Sequence, residues 1–253
     1  MFRTLSANMQ VLVFIFLVYM MSTIGALVYQ VAVMSIVGEK QFMSIDSQDA
    51  RVYLSYAFFF QINAFLMSFL IILRLTGQRF KNLVHFGPVQ VKMLGLTLLI
   101  CFGSLLAMPL LNQMNAPLGQ LFPVLLENDR ITTEANNALL IQKDGVQFIF
   151  SLIVMGLLPA ICEELVFRGF LIGKIREAGT SDNFAIIISA AIFALTHFQP
   201  LKFLAMFFFG ICLGFVYLRF KNLKYSILLH FLINGIQITL AFLVGSGIIE
   251  MEL

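Results

Sequence analysis

The sequence predicts an all-α fold, a polytopic bundle of about seven to eight transmembrane helices whose candidate functional residues lie in the C-terminal half. Hydrophobic residues make up 60% of the 253 residues and charged residues only 11%, whereas a soluble domain carries about 25% charged residues. The apolar residues also form long runs, and a helix needs about 20 such residues to cross the hydrocarbon core of a bilayer.

Seven apolar segments fit this length, although the fifth and sixth are short. They are residues 11–37, 52–73, 93–112, 146–173, 184–198, 201–218 and 225–248. Pro200 forces a break between the fifth and the sixth, so these two segments could equally form one re-entrant pair. Residues 113–145 form the only long polar connection in the sequence. We therefore expect one integral membrane domain, residues 1–253, in which residues 1–112 supply the N-terminal transmembrane helices.

The first apolar segment is predicted to be a retained helix. The stretch 4–38 contains no charged residue and is far longer than the apolar core of a signal peptide, which has roughly 7–15 residues. The N-terminus together with loops 74–92, 168–183 and 219–224 holds eleven of the 16 Lys and Arg residues. Because basic loops stay inside, we expect a cytoplasmic N-terminus and an outside C-terminus. The compact size favours a bacterial plasma (inner) membrane.

Charge and cysteine usage exclude several other classes. The net charge is +3, with basic residues spread over short loops, so no nucleic-acid partner is expected. The three cysteines, Cys101, Cys162 and Cys212, all lie in apolar segments. An odd count without a CxxC motif argues against a disulfide framework or a zinc ribbon.

Two adjacent glutamates, Glu163 and Glu164, stand in an otherwise apolar segment. Charges at bilayer depth are costly, so such residues indicate a functional site. Arg168 follows Glu164 at the i, i+4 spacing, which places the two on one helix face. Glu163 lies about 100° further round the helix. Arg168 can therefore neutralise Glu164, while Glu163 is free to point into a cavity as a general base. The alternative for Glu164 and Arg168 is an ion pair that only fixes helix packing.

Two histidines fall in the same half of the chain. His197 ends the fifth apolar segment, and His230 lies early in the last one with Asn234 one turn further on. If one helix ends near residue 177 and the next begins near residue 184, Glu163 and His197 lie at similar depth in an antiparallel hairpin. That depth is roughly 20 Å from the turn. The same count of residues from the nearest turn does not place His230 at this depth.

These side chains favour hydrolysis. A Glu163–His197 pair can activate water, and a His230–Asn234 pair can stabilise the oxyanion of a tetrahedral intermediate. This arrangement requires no cofactor. The alternative is a divalent metal such as zinc, bound by His197, His230 and Glu163 with water as the fourth ligand. No HExxH motif supports that alternative.

Three motifs in this region resemble those of the CPBP family of intramembrane endopeptidases, also called the Abi or type II CAAX prenyl protease family. The first, EExxxR, is residues 163–168; the second, FxxxH, is residues 193–197; the third, HxxxN, is residues 230–234. Each motif alone is weak, but the three in order within apolar segments are specific. The resemblance covers residues 146–240, which are the expected catalytic core.

The resemblance implies an all-helical core that hydrolyses a peptide bond near the membrane surface. Glu163 resembles the water-activating glutamate and His197 its assistant. Glu164 and Arg168 resemble the supporting pair, and His230 and Asn234 the oxyanion-stabilising pair. Members of the family have been described both as metalloproteases and as glutamate proteases. Eukaryotic members cleave prenylated CAAX proteins, whereas bacterial members are linked to peptide maturation and to self-immunity against bacteriocins.

We therefore expect an intramembrane endopeptidase that acts on a membrane-associated peptide or protein, either lipid-modified or a small leader peptide. One alternative is a proton-coupled transporter, since intramembrane Glu and His also form proton relays. That alternative predicts inverted repeats, whereas the ionisable residues here are concentrated in one half. The other alternative is a non-catalytic bacteriocin-immunity membrane protein that keeps the fold without turnover.

Overall fold

The computed structural model describes residues 2–43, 50–127, 129–130, 133 and 145–249, and the regular structure within them is helical. Seven long helices make up the bundle. They are α1 (Ala7–Val37), α2 (Arg51–Thr76), α3 (Val91–Leu121), α4 (Gly145–Glu177), α5 (Asp182–Leu195), α6 (Pro200–Phe220) and α7 (Leu223–Gly245). Short helical segments lie at Phe2–Thr4, Glu39–Met43 and Phe80–Leu83.

Within the described part of the chain, six helices are long and apolar enough to cross a membrane: all of the seven except α5. Helix α5 has 14 residues and is therefore about 21 Å long, shorter than the hydrocarbon core of about 30 Å. The seven helices correspond to the seven apolar segments of the sequence. The predicted all-α transmembrane bundle is confirmed.

Helix α3 is longer than its apolar segment. It continues beyond residue 112 to Leu121 and contains both Pro109 and Pro117. Prolines are tolerated inside membrane helices because neighbouring groups can satisfy the freed carbonyls. The expected polar connection therefore begins with helix. Residues 128, 131–132 and 134–144 of that connection lie outside the described residues.

Local sequence signals set several helix ends. The side chains of Ser6, Ser181 and Asn222 precede α1, α5 and α7 and each accept a hydrogen bond from a first-turn N–H, which is the usual N-cap contact. Gly77 follows α2 with φ 69°, a left-handed conformation that glycine adopts without steric cost. These caps fix where the membrane helices begin and end.

The turn between α6 and α7 is hydrogen-bonded to residues 84–90. Leu223 N donates to His85 O at 2.9 Å, and Asn222 Nδ2 donates to Gly87 O at 3.1 Å. Gln90 N donates to the Tyr225 hydroxyl at 2.6 Å. Asn222, Leu223 and Tyr225 are buried, whereas Lys221 and Lys224 remain exposed. These bonds fix the start of α7, the helix that carries His230.

Helices α5 and α6 approach each other closely at a glycine. A Cβ atom on Gly210 would lie 2.9 Å from both Cα and Cβ of Ala190. Real Cβ atoms do not come so close to a backbone, so either helix would have to move. Small residues at such crossings allow tight packing of membrane helices, for which dispersion contacts supply much of the stability.

We expect Gly210→Ala to destabilise the protein by about 1–3 kcal/mol, because the added methyl overpacks the α5–α6 interface. The measurement is thermal unfolding of purified protein in detergent. Gly173→Ala is the matched control, since a Cβ there meets no atom within 4 Å and alanine favours helix. Equal unfolding temperatures for the two variants would contradict this account of the interface.

Candidate active site

Helix α4 is irregular on both sides of the two glutamates. They end an α-helical stretch, Leu158–Glu164, which lies between π-helical stretches at Leu152–Leu157 and Leu165–Leu171. π-Helical turns occur frequently at functional sites. Pro159 cannot donate the α-helical hydrogen bond to the Met155 carbonyl. Asn234 Nδ2 donates to that carbonyl instead, at 3.3 Å, and so ties α7 to the irregular part of α4.

Glu164 joins two of the predicted site residues. Its Oε1 accepts a hydrogen bond from Arg168 Nη1 at 2.7 Å and lies 3.0 Å from His230 Nδ1. An ionised carboxylate can only accept hydrogen bonds, so His230 must carry a proton on Nδ1 to make this contact. The Nε2 atom of His230 is then the one available toward Glu163. Glu164 thus orients the imidazole as well as pairing with the arginine.

Arg168 has no exposed area, and its charge is met from three directions. Besides Glu164, Nη2 donates to Gly210 O at 3.0 Å. The guanidinium carbon lies 4.9 Å from the centroid of the Phe193 ring, within the range of a cation–π contact. Because Gly210 has no side chain, α6 can come close enough for its carbonyl to reach Arg168. A side chain at this position would push α6 away.

Glu163 points to a different side of α4. Its Oε1 accepts a hydrogen bond from Gln61 Nε2 on α2 at 2.9 Å. Its Oε2 lies 4.0 Å from His230 Nε2 and accepts no hydrogen bond from the described residues. The two adjacent glutamates are therefore separated as the helix geometry predicts, one held by Arg168 and the other with one free oxygen.

A cavity of about 850 Å³ lies beside Glu163. Glu163, His197, His230, Asn234 and Gln61 all line it, and its remaining walls are mostly aromatic and aliphatic. The cavity is large enough to admit several amino-acid side chains. A concave, mainly apolar site with a few convergent polar groups is typical of substrate binding.

His197 lies just after the end of α5. Its Nδ1 is 2.8 Å from Phe193 O, and because a carbonyl only accepts, Nδ1 carries the proton and Nε2 has the lone pair in the neutral ring. The next residue, Phe198, has φ 52°, a left-handed conformation that is rare for a bulky residue. Among the described residues, His197 and Glu163 share no hydrogen bond or ion pair. Both residues line the same cavity.

Phe193, the first residue of the second motif, is the aromatic centre of the site. Its ring centroid lies 4.7 Å from that of His197 and 6.0 Å from that of His230. The Phe167 ring contacts it edge-on at 5.2 Å. The motif phenylalanine thus separates the two histidines and shields the arginine from water.

The ligand set of the metal alternative is not assembled as a metal site. Within the described ranges, no group of three or more His, Cys, Asp and Glu side chains is placed to hold a metal ion. The Nδ1 contacts of His230 with Glu164 and of His197 with Phe193 O leave both Nε2 atoms open, an orientation that is also usual for metal-bound histidines. It is the placement of the three side chains that does not fit the predicted His197, His230 and Glu163 metal centre in this conformation.

Buried carboxylates, an arginine and a histidine lie close together inside a transmembrane bundle, and ionisable residues in such a place indicate a functional site. Residues 145–236 match the family model described as Type II CAAX prenyl endopeptidase Rce1-like. The resemblance seen in the three motifs is thereby confirmed over this segment. The match supports a membrane endopeptidase of the CPBP family. No curated protein and no solved structure was found to match the chain.

The six predicted site residues are brought together, but with partners that the sequence did not indicate. Sequence analysis missed Gln61, which lies outside the family match, and the backbone carbonyls of Gly210 and Met155. The only signal for Gln61 was its polarity in the middle of an apolar segment. Backbone carbonyls leave no sequence signal at all.

Proposed function

We propose that the protein is an intramembrane endopeptidase in which Glu163 activates the water that hydrolyses a peptide bond. The match of residues 145–236 supports a protease of this type in general. The observation that carries the finer proposal is the state of Glu163 Oε2, which is buried on a residue that lines the cavity and accepts no hydrogen bond from the described residues. A carboxylate oriented by one oxygen and free at the other is suited to act as a general base.

In the proposed reaction a water molecule donates one hydrogen to Glu163 Oε2, and its oxygen attacks the substrate carbonyl carbon. Glu163 takes the proton as the new C–O bond forms. The carbonyl oxygen becomes an oxyanion. When the intermediate collapses, the C–N bond breaks and the proton passes to the leaving amine. The nitrogen lone pair of His197 Nε2 can accept the second hydrogen of the same water and so help to orient it.

His230 and Asn234 are the proposed oxyanion donors. Because His230 Nδ1–H is held by Glu164, the ring donates from Nε2 only when it carries both protons. Asn234 has two N–H donors, of which one contacts Met155 O, so the other is free for the oxyanion. Donors aimed at developing negative charge typically give 10²–10³-fold in rate for each group (order of magnitude).

We further propose that the substrate is a membrane-associated peptide or protein, lipid-modified or a small leader peptide, since the cavity walls are mainly apolar. A bacterial plasma membrane, with the N-terminus in the cytoplasm, is the proposed location. The test compares the membrane peptidomes of cells that contain the wild type, Glu163→Ala or no protein. Truncated peptides that depend on the wild type alone support the proposal. Identical peptides with Glu163→Ala would contradict it and favour the non-catalytic immunity alternative.

Exhaustive chelation of the purified protein is expected to leave peptide cleavage unchanged, because His197, His230 and Glu163 are not placed as a three-ligand set in the described part of the chain. The measurement is the initial cleavage rate before and after dialysis against a strong chelator. A rate that falls at least tenfold and returns with added zinc would contradict this, and would favour the metal-dependent alternative with His197, His230 and Glu163 as ligands.

A further inference from the structure

We infer that Gln61 is a positioning residue for the reaction: its side-chain amide binds one carboxylate oxygen of Glu163 and leaves the other without a hydrogen bond from the described residues. This inference rests on the proposed function. It concerns helix α2, which lies outside the segment that matches the family model. The contact that suggests it is the 2.9 Å hydrogen bond from Gln61 Nε2 to Glu163 Oε1.

The chemistry of the amide suits this task. A carboxylate with two unrestrained oxygens can rotate, so either oxygen could face the cavity or neither. The hydrogen bond from Gln61 occupies Oε1 and leaves Oε2, the oxygen 4.0 Å from His230 Nε2. A glutamine amide neither gains nor loses a proton near neutral pH. It can therefore orient a general base without competing for the proton that the base must accept.

The protein holds Gln61 itself firmly in place. It ends the α-helical part of α2, and a π-helical stretch, Ile62–Met67, begins at the next residue. Within that stretch Ala64 and Phe65 are buried, and the Phe65 ring lies 6.1 Å from the Phe167 ring on α4. On the opposite side α2 contacts α1, where a Cβ on Gly25 would lie 2.9 Å from Asn63 Cβ. Helix α2 is thus fixed between α1 and α4.

If Gln61 had a purely structural role, its replacement would have different effects. Polar side chains also hydrogen-bond between membrane helices simply to join them. In that case the loss of Gln61 would lower stability and would not affect the chemical step selectively. A positioning role instead predicts a loss in kcat with little change in KM or in unfolding temperature, because substrate binding uses the rest of the cavity.

The first test is Gln61→Leu, which keeps the approximate size and removes the donor. We expect kcat to fall by about 10- to 100-fold, as misplacement of a reacting group by about 1 Å can cost that much, with KM within about twofold of the wild type. Asn63→Ala is the control, because Asn63 lies on the same helix and its side chain bonds only to Phe59 O of that helix. It is expected to keep the wild-type kcat.

Gln61→Glu gives a second signature. This variant has nearly the same shape but can donate to Glu163 only when its own carboxyl is protonated. We expect its activity to approach that of the wild type in acid and to fall steeply as the pH rises, because two adjacent carboxylates then repel each other. A pH profile parallel to that of the wild type would overturn the inference.

A measurement that needs no turnover separates the positioning role of Gln61 from the proposed function as an endopeptidase. Hydrophobic carbodiimides add to carboxyl oxygens, and in Gln61→Leu the Oε1 atom of Glu163 loses its hydrogen bond from α2 and is open to the reagent. We therefore expect Gln61→Leu to raise the labelling of Glu163 at pH 7, measured by mass spectrometry, above that of Asn63→Ala. Unchanged labelling overturns the inference even if the wild type cleaves nothing. If the wild type cleaves and Gln61→Leu does so at the same kcat, the positioning role is overturned while the proposed function stands.

Discussion

Replacement of Glu163 by glutamine is expected to lower the kcat for peptide cleavage by about 10²–10⁴-fold, the range that a positioned general base contributes. Glutamine keeps the size of the side chain but cannot accept a proton. The fold should persist, because the side-chain oxygen of the glutamine can still accept the hydrogen bond from Gln61. The measurement is kcat and KM for a cleaved peptide, together with the thermal unfolding temperature of the variant.

Glu127→Gln is the matched control for this change. Glu127 is exposed and pairs with Arg130 at 2.6 Å on the surface, so the same replacement there removes one surface ion pair, which contributes about 0–1 kcal/mol. We expect wild-type kinetics from this control. A Glu163→Gln protein that keeps more than a tenth of the wild-type kcat would refute the assignment of Glu163 as the base.

Replacement of Arg168 by methionine is expected to destabilise the protein by about 3–5 kcal/mol, because it leaves the charge of Glu164 buried without its partner. Methionine has a similar length, so packing changes little. The Gly210 carbonyl also loses its donor, and the cation–π contact with Phe193 is lost. The yield of folded protein in detergent and its thermal unfolding temperature are the measurements.

Arg176→Met provides the comparison within the same helix. Arg176 pairs with Asp182 at 2.6 Å, but both side chains are about half exposed, so this change should cost no more than about 1 kcal/mol. The double variant Arg168→Met/Glu164→Gln removes both buried charges and should recover part of the loss. If Arg168→Met and Arg176→Met unfold at the same temperature, the buried pair does not stabilise the fold as described.

Much of the architecture was predictable because the bilayer sets the length of an apolar segment. The seven segments became seven helices, and α4 and α5 ended and began within a few residues of the predicted positions. The pairing of Glu164 with Arg168 followed from the i, i+4 spacing alone. The direction of Glu163 to another side of the helix followed from the angle between adjacent residues.

Contacts between distant segments could not be predicted in this way. Gln61 and Glu163 are 102 residues apart in the sequence, and the apolar pattern of α2 does not indicate which face meets α4. The start of α7, the helix that carries His230, is held by residues 84–90 through backbone and side-chain hydrogen bonds, which the sequence did not indicate. The extension of α3 to Leu121 runs through two prolines that sequence rules treat as helix breakers.

The predicted pairing of Glu163 with His197 rested on equal depth in a hairpin. Both residues do line one cavity, yet the nearest polar partners of Glu163 among the described residues are Gln61 and His230. Depth fixes position along a helix but not rotation about it, and the π-helical stretches of α4 shift that rotation. The proposed roles of His197, His230 and Asn234 therefore depend on where the substrate carbonyl lies in the cavity.

The proposal that Glu163 enables this protein to hydrolyse peptide bonds within the membrane can be tested with wild-type and Glu163→Gln proteins. Each is purified and reconstituted in liposomes that contain a library of membrane-associated peptides, with product analysis by mass spectrometry. We expect each product to carry a new carboxyl terminus and to form with the wild type at a rate at least about 100-fold above that of the variant. Equal product formation by the two proteins, or none by the wild type, would contradict it.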